Sequence, residues 1–178
     1  MKVVITGHSN GLGKVLAKEF ESKGYTVSGY DLSDNKDVKD ESVVNDLLLD
    51  CKDADIFVNN AYGNQRQLLD KVFNAWLGDN RTIINISSAV TYKTLNPEIT
   101  PDIKDYFTEK RNLDQWVHLC RRKSSLPRIM NVRPSWFESD LVKRFEVDKM
   151  QPADVAELIV SLYEMSNKLQ ILDIVLEK

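Results

Sequence analysis

The sequence predicts a single α/β domain built on a doubly wound parallel sheet of about seven strands. Three observations carry that expectation. Short β-branched runs alternate with segments of helical periodicity along the whole chain, the pattern of strands joined by crossover helices. The strand runs are apolar without alternation, as strands covered on both faces must be. The first run is followed at once by "TGHSNGLG" (6–13), which holds three of the chain's seven glycines.

Six strands can be placed on named segments. KVVIT (2–6) reads as a buried strand, and GKVLAKEFESKG (13–24) as a helix with Val15, Leu16 and Phe20 at helical spacing and a stop at Gly24. YTVSGYD (25–31) is a second strand, ESVVNDLLLDC (41–51) an amphipathic helix, and DIFVNN (55–60) a third strand. RQLLDKVFNAWL (66–77) is helical and TIINIS (82–87) extended. Thr100, Pro101 and Asp102 form a helix start, with a capping hydroxyl, a proline at the first helical position and an acid in the first turn. That helix runs to about Arg121, where basic residues meet the negative end of its dipole. RIMNVR (128–133) is a strand, QPADVAELIVSLYEM (151–165) a helix, and LQILDIVLE (169–177) the closing strand.

Composition removes several function classes. The 178 residues are 42% hydrophobic and 29% charged, with a net charge of −3 that gives no basic footprint for nucleic acid or anionic membrane. The first residues are interrupted too soon for a signal peptide, and no apolar run reaches membrane-spanning length. Cys51 and Cys120 lie far apart without metal-ligand spacing, and His8 and His118 are equally isolated. A reduced, cytoplasmic setting without a metal site is expected.

In a doubly wound sheet a ligand sits beyond the carboxyl ends of the strands, where the strand order reverses. The first strand-to-helix turn offers unpaired N–H groups and the positive end of a helix dipole, which suit a pyrophosphate. The spacing here is G-x-x-x-G-x-G rather than G-x-G-x-x-G. Asp31 ends the second strand 18 residues after Gly13. Its carboxylate can accept both ribose hydroxyls and repels a 2′-phosphate, while neighbouring Asn10 and Leu32 supply no cation. NAD is therefore expected, with NADP disfavoured. A glycine turn that serves only helix–sheet packing is the alternative.

Five segments together resemble the single-domain branch of the short-chain dehydrogenase/reductase family. "TGHSNGLG" matches its T-G-x-x-x-G-x-G, "NNAYG" (59–63) is similar to its N-N-A-G with Tyr62 inserted, and "INISSA" (84–89) matches its serine-bearing strand. Tyr106 and Lys110 match Y-x-x-x-K, and "NVRPSW" (131–136) resembles N-x-x-x-P-G with Ser135 in place of glycine. The resemblance covers nearly the whole chain and implies a Rossmann fold. Only about 20 residues separate NNAYG from the serine strand, roughly half the family's usual distance, and the lid segment between Pro134 and Pro152 is short. The chain looks like a pared-down member.

The resemblance implies cofactor contacts from Gly7, His8, Ser9, Asn10, Gly11, Leu12, Gly13, Asp31, Asn60, Ala61, Tyr106, Lys110, Pro134, Ser135 and Trp136. It implies that Ser88 polarises a substrate carbonyl, that Tyr106 exchanges the proton, and that Lys110 holds the nicotinamide ribose. Tyr106 and Lys110 share a helix face, and an ammonium beside a phenol lowers a reference pKa of about 10 toward neutrality. Asn64, 24 residues before Ser88, stands where the family carries a water-holding asparagine, though a helix N-cap is the competing role. Asn59 serves either the cofactor or the sheet, and Trp136 and Phe137 either the substrate pocket or the local core. Arg121, Arg122 and Lys123 are assigned no ligand.

The expected activity is hydride transfer between nicotinamide and a small alcohol or carbonyl substrate. The competing function is a non-catalytic dinucleotide-binding protein that senses redox state or scaffolds a partner. A homodimer or homotetramer is implied by resemblance, with Leu68, Leu113, Trp116, Val117 and Cys120 available to either core or interface.

Overall fold

The computed structural model describes residues 1–92, 101–138, 148–166 and 169–178, with the side chains of 101–103 left out. Its strands are β1 (Lys2–Thr6), β2 (Thr26–Tyr30), β3 (Ile56–Asn59), β4 (Thr82–Ile86), β5 (Arg128–Pro134) and β6 (Asp173–Leu176). Its helices are α1 (Gly11–Ser22), α2 (Glu41–Asp50), α3 (Gln65–Ala75), α4 (Pro101–Lys123) and α5 (Pro152–Met165). Short 3-10 turns occupy Leu32–Asp34 and Ala89–Tyr92.

All six strands lie parallel in the order β2-β1-β3-β4-β5-β6. One face packs Val3, Ile5, Ile56, Val58, Ile84, Ile86 and Val132 against Leu16 and Phe20 of α1 and Ile159 and Val160 of α5. The other packs Val4, Phe57, Ile83 and Ile129 against α2, α3 and α4. Successive side chains of a strand point to opposite faces, so β1 and β3–β5 are apolar at nearly every position because both faces are covered.

About seven strands were expected, and the described residues form six. Residues 31–40 (DLSDNKDVKD), between β2 and α2, do not add one. Asp31, Asp37 and Asp40 accept from the backbone N–H groups of Ser33, Lys39 and Ser42, and Asn35 is left-handed with φ 55°. Such side-chain-to-backbone bonds compete with a ladder. The segment buries a single apolar side chain, Val38. The sheet therefore ends at β2.

The chain order reverses between β1 and β3: β1 leads outward to β2, and the chain then returns past β1 to form β3. The carboxyl ends of β1 and β3 meet there, and the ends of β4 and β5 continue the same rim. Thr100 and the loop carrying Pro97 lie outside the described residues, as does 139–147, the larger part of the lid segment.

Candidate functional site

Beyond β1 the chain turns through Gly7, with φ 70°. A Cβ on Gly13 would stand 2.0 Å from the Gly7 carbonyl oxygen and 2.7 Å from Asn60 Nδ2, so only glycine lets α1 start this close to the strand. Around Gly11 the space is open, with nothing within 4 Å of a built Cβ. Asn10 is the N-cap of α1, yet its side chain makes no capping bond and the first turn holds no acid. The leading N–H groups of α1 thus keep their capacity for an anion. Leu12 and Gly13 are buried beneath the turn.

Asn60 joins the two strand ends. Its Nδ2 donates to the carbonyls of Thr6 at 3.0 Å and Gly7 at 3.3 Å, and the N–H groups of Asn60 and Ala61 both donate to Thr6 Oγ1. Its side chain is thereby committed to holding the glycine turn. At the β2 side, the Asp31 carboxylate accepts from Ser33 N–H at 2.9 Å and from the backbone of Ser9. Burial alone would raise that carboxyl, but the bonds from Ser33 and Ser9 and the nearby His8 outweigh it and hold it below the ordinary range. Ser33 Oγ donates to Ser9 Oγ at 2.7 Å, and His8 Nε2 lies 3.2 Å from Asp34. The His8 ring lies flat on Gly29, where a Cβ would come within 2.3 Å of it.

Ser88 follows β4 directly, and Tyr106 and Lys110 come from α4. The Tyr106 hydroxyl is hydrogen-bonded to the Ser88 side chain. Lys110 Nζ lies 5.6 Å from the centre of the Tyr106 ring and Tyr62 packs on the same ring at 5.4 Å. The three residues expected to act together thus converge at the end of β4. Lys110 is 4% exposed, and burial lowers it from 10.5 to about 7 against the opposing pull of Asp114 and Glu109. Burial also raises the Tyr106 phenol above its ordinary value, more than the Ser88 hydrogen bond lowers it. The expected lowering toward neutrality is not present in the chain alone. A lysine that titrates near neutrality carries too little charge to overcome the phenol's desolvation.

The asparagine expected in this cluster is not there. Asn64 Nδ2 donates to the Val38 carbonyl at 2.5 Å, toward the segment before α2, and its side chain does not cap α3 although it stands at the N-cap position. Its neighbour Gln65 faces the site instead. Gln65 Nε2 donates to the carbonyls of Asn59 at 2.8 Å and Ile86 at 2.9 Å, which fixes the amide so that Oε1 meets Lys110 Nζ at 2.5 Å. Lys110 also donates to the Ile86 carbonyl at 2.9 Å. Two residues apart in role but adjacent in sequence, they are separated by the start of the helix, which turns one inward and the other out.

Asn59 serves the sheet. Its Nδ2 donates to Asn85 Oδ1 at 2.9 Å, and Asn85 Nδ2 donates to Asn131 Oδ1 at 2.7 Å. These residues are in register on β3, β4 and β5 and wholly buried, a polar rung across an apolar sheet. Sequence reading left Asn59 open between cofactor and sheet, and missed Asn85 and Asn131 of the rung as well as Gln65. An asparagine near the end of each of three consecutive apolar runs (IFVN, IINI, RIMNV) was the available signal.

At β5, Pro134 is buried and closes the strand, Ser135 N–H donates to the Leu176 carbonyl at 2.8 Å, and the Trp136 carbonyl accepts from Met150 N–H at 2.9 Å. Phe137 packs into the α1/α5 core. Arg121 is more than a solvated helix end: its guanidinium binds Asp173 at 2.7 Å and the carbonyls of Ile129 and Leu172, joining α4 to β5 and β6. Leu68, Leu113, Val117 and Cys120 are core residues, and Trp116 is partly buried with Arg66 on its ring. A cleft of about 160 Å³ opens between α3 and α4, walled by Gln65, Arg66, Glu109 and Asn112. Neither Ser88 nor Tyr106 lines it, so it is not the space beside the serine–tyrosine pair. Among the described residues no His, Cys, Asp and Glu group could hold a metal, and no helix is long and apolar enough to cross a membrane.

No protein-family model and no curated protein sequence matches the chain. Solved structures do. A short-chain dehydrogenase from Burkholderia cenocepacia, in complex with NADP, is 13% identical, with 99% of this chain and 88% of that one covered and a TM-score of 0.76. The 3-alpha-hydroxysteroid dehydrogenase from a Pseudomonas species, complexed with NADH, is 17% identical over 99% and 95% of the two chains, with a TM-score of 0.69. The 3-ketoacyl-(acyl-carrier-protein) reductase from Brucella melitensis, complexed with NADH, is 16% identical over 98% and 96%, with a TM-score of 0.75. The chain has the fold of the short-chain dehydrogenases over nearly its whole length.

Proposed function

We propose that this chain is a compact short-chain dehydrogenase/reductase, a single nucleotide-binding domain over residues 1–178 that moves hydride between a nicotinamide dinucleotide and a small alcohol or carbonyl compound. The observation that carries this reading is the meeting of Ser88, Tyr106 and Lys110 at the end of β4, on the rim that begins with the open glycine turn.

The residues present fit a dinucleotide. The uncapped N–H groups of α1 suit its pyrophosphate, the open space at Gly11 admits it, and Asp31 at the end of β2 suits a ribose diol. Asp31 and its acidic neighbour Asp34 disfavour a 2′-phosphate, so NAD is preferred over NADP. Pro134, Ser135 and Trp136 border the nicotinamide end. Bound there, the cofactor supplies hydride transfer. Ser88 and Tyr106 then hydrogen-bond the substrate oxygen, Ser88 polarising it and Tyr106 giving or taking its proton. Lys110, oriented by Gln65, stands beside Tyr106 and would hold the nicotinamide ribose. A small substrate is in keeping with the short lid segment. The chain acts in the cytoplasm as a homodimer or homotetramer.

Tyr106→Phe tests the assignment. With a panel of aldehydes and ketones and NADH, the variant is expected to lose turnover by at least about a hundredfold while NADH affinity stays within a few-fold. Retained turnover removes Tyr106 as the proton donor. The non-catalytic reading gains support if the unaltered protein binds NADH tightly and turns over nothing in the panel.

A further inference from the structure

Lys110 has a second neighbour besides Gln65 that nothing in its own motif demands. Asp114 lies one helical turn further along α4, on the same face, and is buried with it. Its carboxylate makes no hydrogen bond to the lysine. Oδ1 accepts from Asn131 Nδ2 at 3.0 Å, and Oδ2 accepts from Arg133 Nε at 2.7 Å. Arg133 is 2% exposed, and its Nη1 reaches Asp173 Oδ1 at 2.5 Å while its flat face lies 4.9 Å from the Tyr92 ring.

We propose that Asp114 is a positioning residue for Lys110: a carboxylate pinned by Arg133 and Asn131 so that it sets the lysine's charge without capturing its hydrogen bond. The inference rests on Lys110 belonging to the reaction site. A free carboxylate at this position would draw the ammonium away from Gln65 Oε1 and the Ile86 carbonyl. No carboxylate would leave a buried ammonium with only neutral acceptors, and a desolvated amine then sheds its proton. The pinned carboxylate favours the ammonium without drawing it from those acceptors. It acts through space on Lys110 while each of its oxygens accepts a hydrogen bond from another residue.

The groups around Lys110 sort accordingly. From α4 come Tyr106, Glu109 and Asp114; α3 contributes neutral Gln65, β4 contributes the Ile86 carbonyl, and neutral Ser88 follows β4 on the far side of Tyr106. From β5, Arg133 stands behind Asp114, and Asp173 of β6 stands behind Arg133. Both Asp114 and Glu109 favour the charged lysine, with Asp114 the stronger.

The test reads the lysine itself and needs no substrate. In protein carrying 13C-labelled lysine ε-carbons, one signal should titrate near 7, far below the others, and vanish in Lys110→Met. In Asp114→Asn, which retains an oxygen for Arg133 or Asn131, that midpoint is expected to fall by roughly half a pH unit or more. In Arg133→Met it is expected to rise, because the carboxylate is released toward the lysine. Asp114→Glu should restore the ordinary midpoint in part. A midpoint unmoved in Asp114→Asn overturns the proposal, as does failure of both Asp114→Asn and Arg133→Met to fold, which makes the pair purely structural. NADH binding measured on the same samples separates the two readings. Binding with an unmoved lysine signal refutes only the role of Asp114, whereas a shifted signal without binding refutes only the oxidoreductase.

Discussion

Replacing Gln65 with leucine should damage this protein far more than replacing its neighbour Asn64 with alanine. Gln65 is 6% exposed and makes three side-chain hydrogen bonds, to the carbonyls of Asn59 and Ile86 and to Lys110. The two neutral bonds are worth about 1 kcal/mol each and the one to the amine about 2 kcal/mol. Leucine regains about 1 kcal/mol through apolar burial. The Ile86 carbonyl keeps Lys110 as a donor, so it is not orphaned. The net loss is then about 3 kcal/mol, a fall in Tm of roughly 6–12 °C for a domain of this size. Asn64 makes one partly buried bond, to Val38. Asn64→Ala should cost about 1 kcal/mol and roughly 2–4 °C. Urea and thermal unfolding of the two variants, side by side, decide the matter. Equal losses, or a larger one for Asn64, would refute the placement of Gln65 as the inward residue.

Two further expectations follow from the same geometry. Lys110 titrates at about 7 when folded against 10.5 for an ordinary lysine. Below pH 7 the folded chain bears the full cost of a buried charge; between these values only the unfolded chain keeps the proton, so stability rises with pH. The stability of the unaltered protein relative to Lys110→Met should therefore grow by about 2 kcal/mol between pH 7 and 9, and parallel urea midpoints at the two pH values would contradict it. Gly13→Ala puts a methyl group against the Gly7 carbonyl and Asn60, and should destabilise by about 1–3 kcal/mol and weaken NADH binding at least about tenfold. Unchanged binding in that variant would disconnect the turn from the cofactor.

Much of the fold was legible because the local signals agree with one another. Runs such as VVI, IFV and TII, short, rich in β-branched residues and alternating with helical patterns, read as covered strands. Tyr106, Lys110 and Ser88 were legible through the family resemblance, and helix spacing by itself placed only Tyr106 and Lys110 on one face. The expected count of about seven exceeded the six segments the sequence names, and the polar segment 31–40, whose backbone is satisfied by aspartate side chains, adds no strand. Gln65 was not legible because it and Asn64 are both polar amides at a helix start, and one residue of register decides which faces inward. The rung of Asn59, Asn85 and Asn131 needs the pairing register of three strands, which no single segment reveals. Arg121 looked like a solvated helix end because its partners, Asp173 and two carbonyls, come from strands distant in sequence. The level of the Tyr106 phenol depended on burial, which spacing does not report.

The central claim is that the glycine turn and Asp31 receive a nicotinamide dinucleotide. Titration with NADH and separately NADPH, followed by energy transfer from tryptophan to the reduced nicotinamide, tests it most directly. The account predicts saturable NADH binding at least about tenfold tighter than NADPH, since the Asp31 and Asp34 carboxylates repel a 2′-phosphate. Saturation by neither nucleotide would contradict it and leave TGHSNGLG as a packing turn.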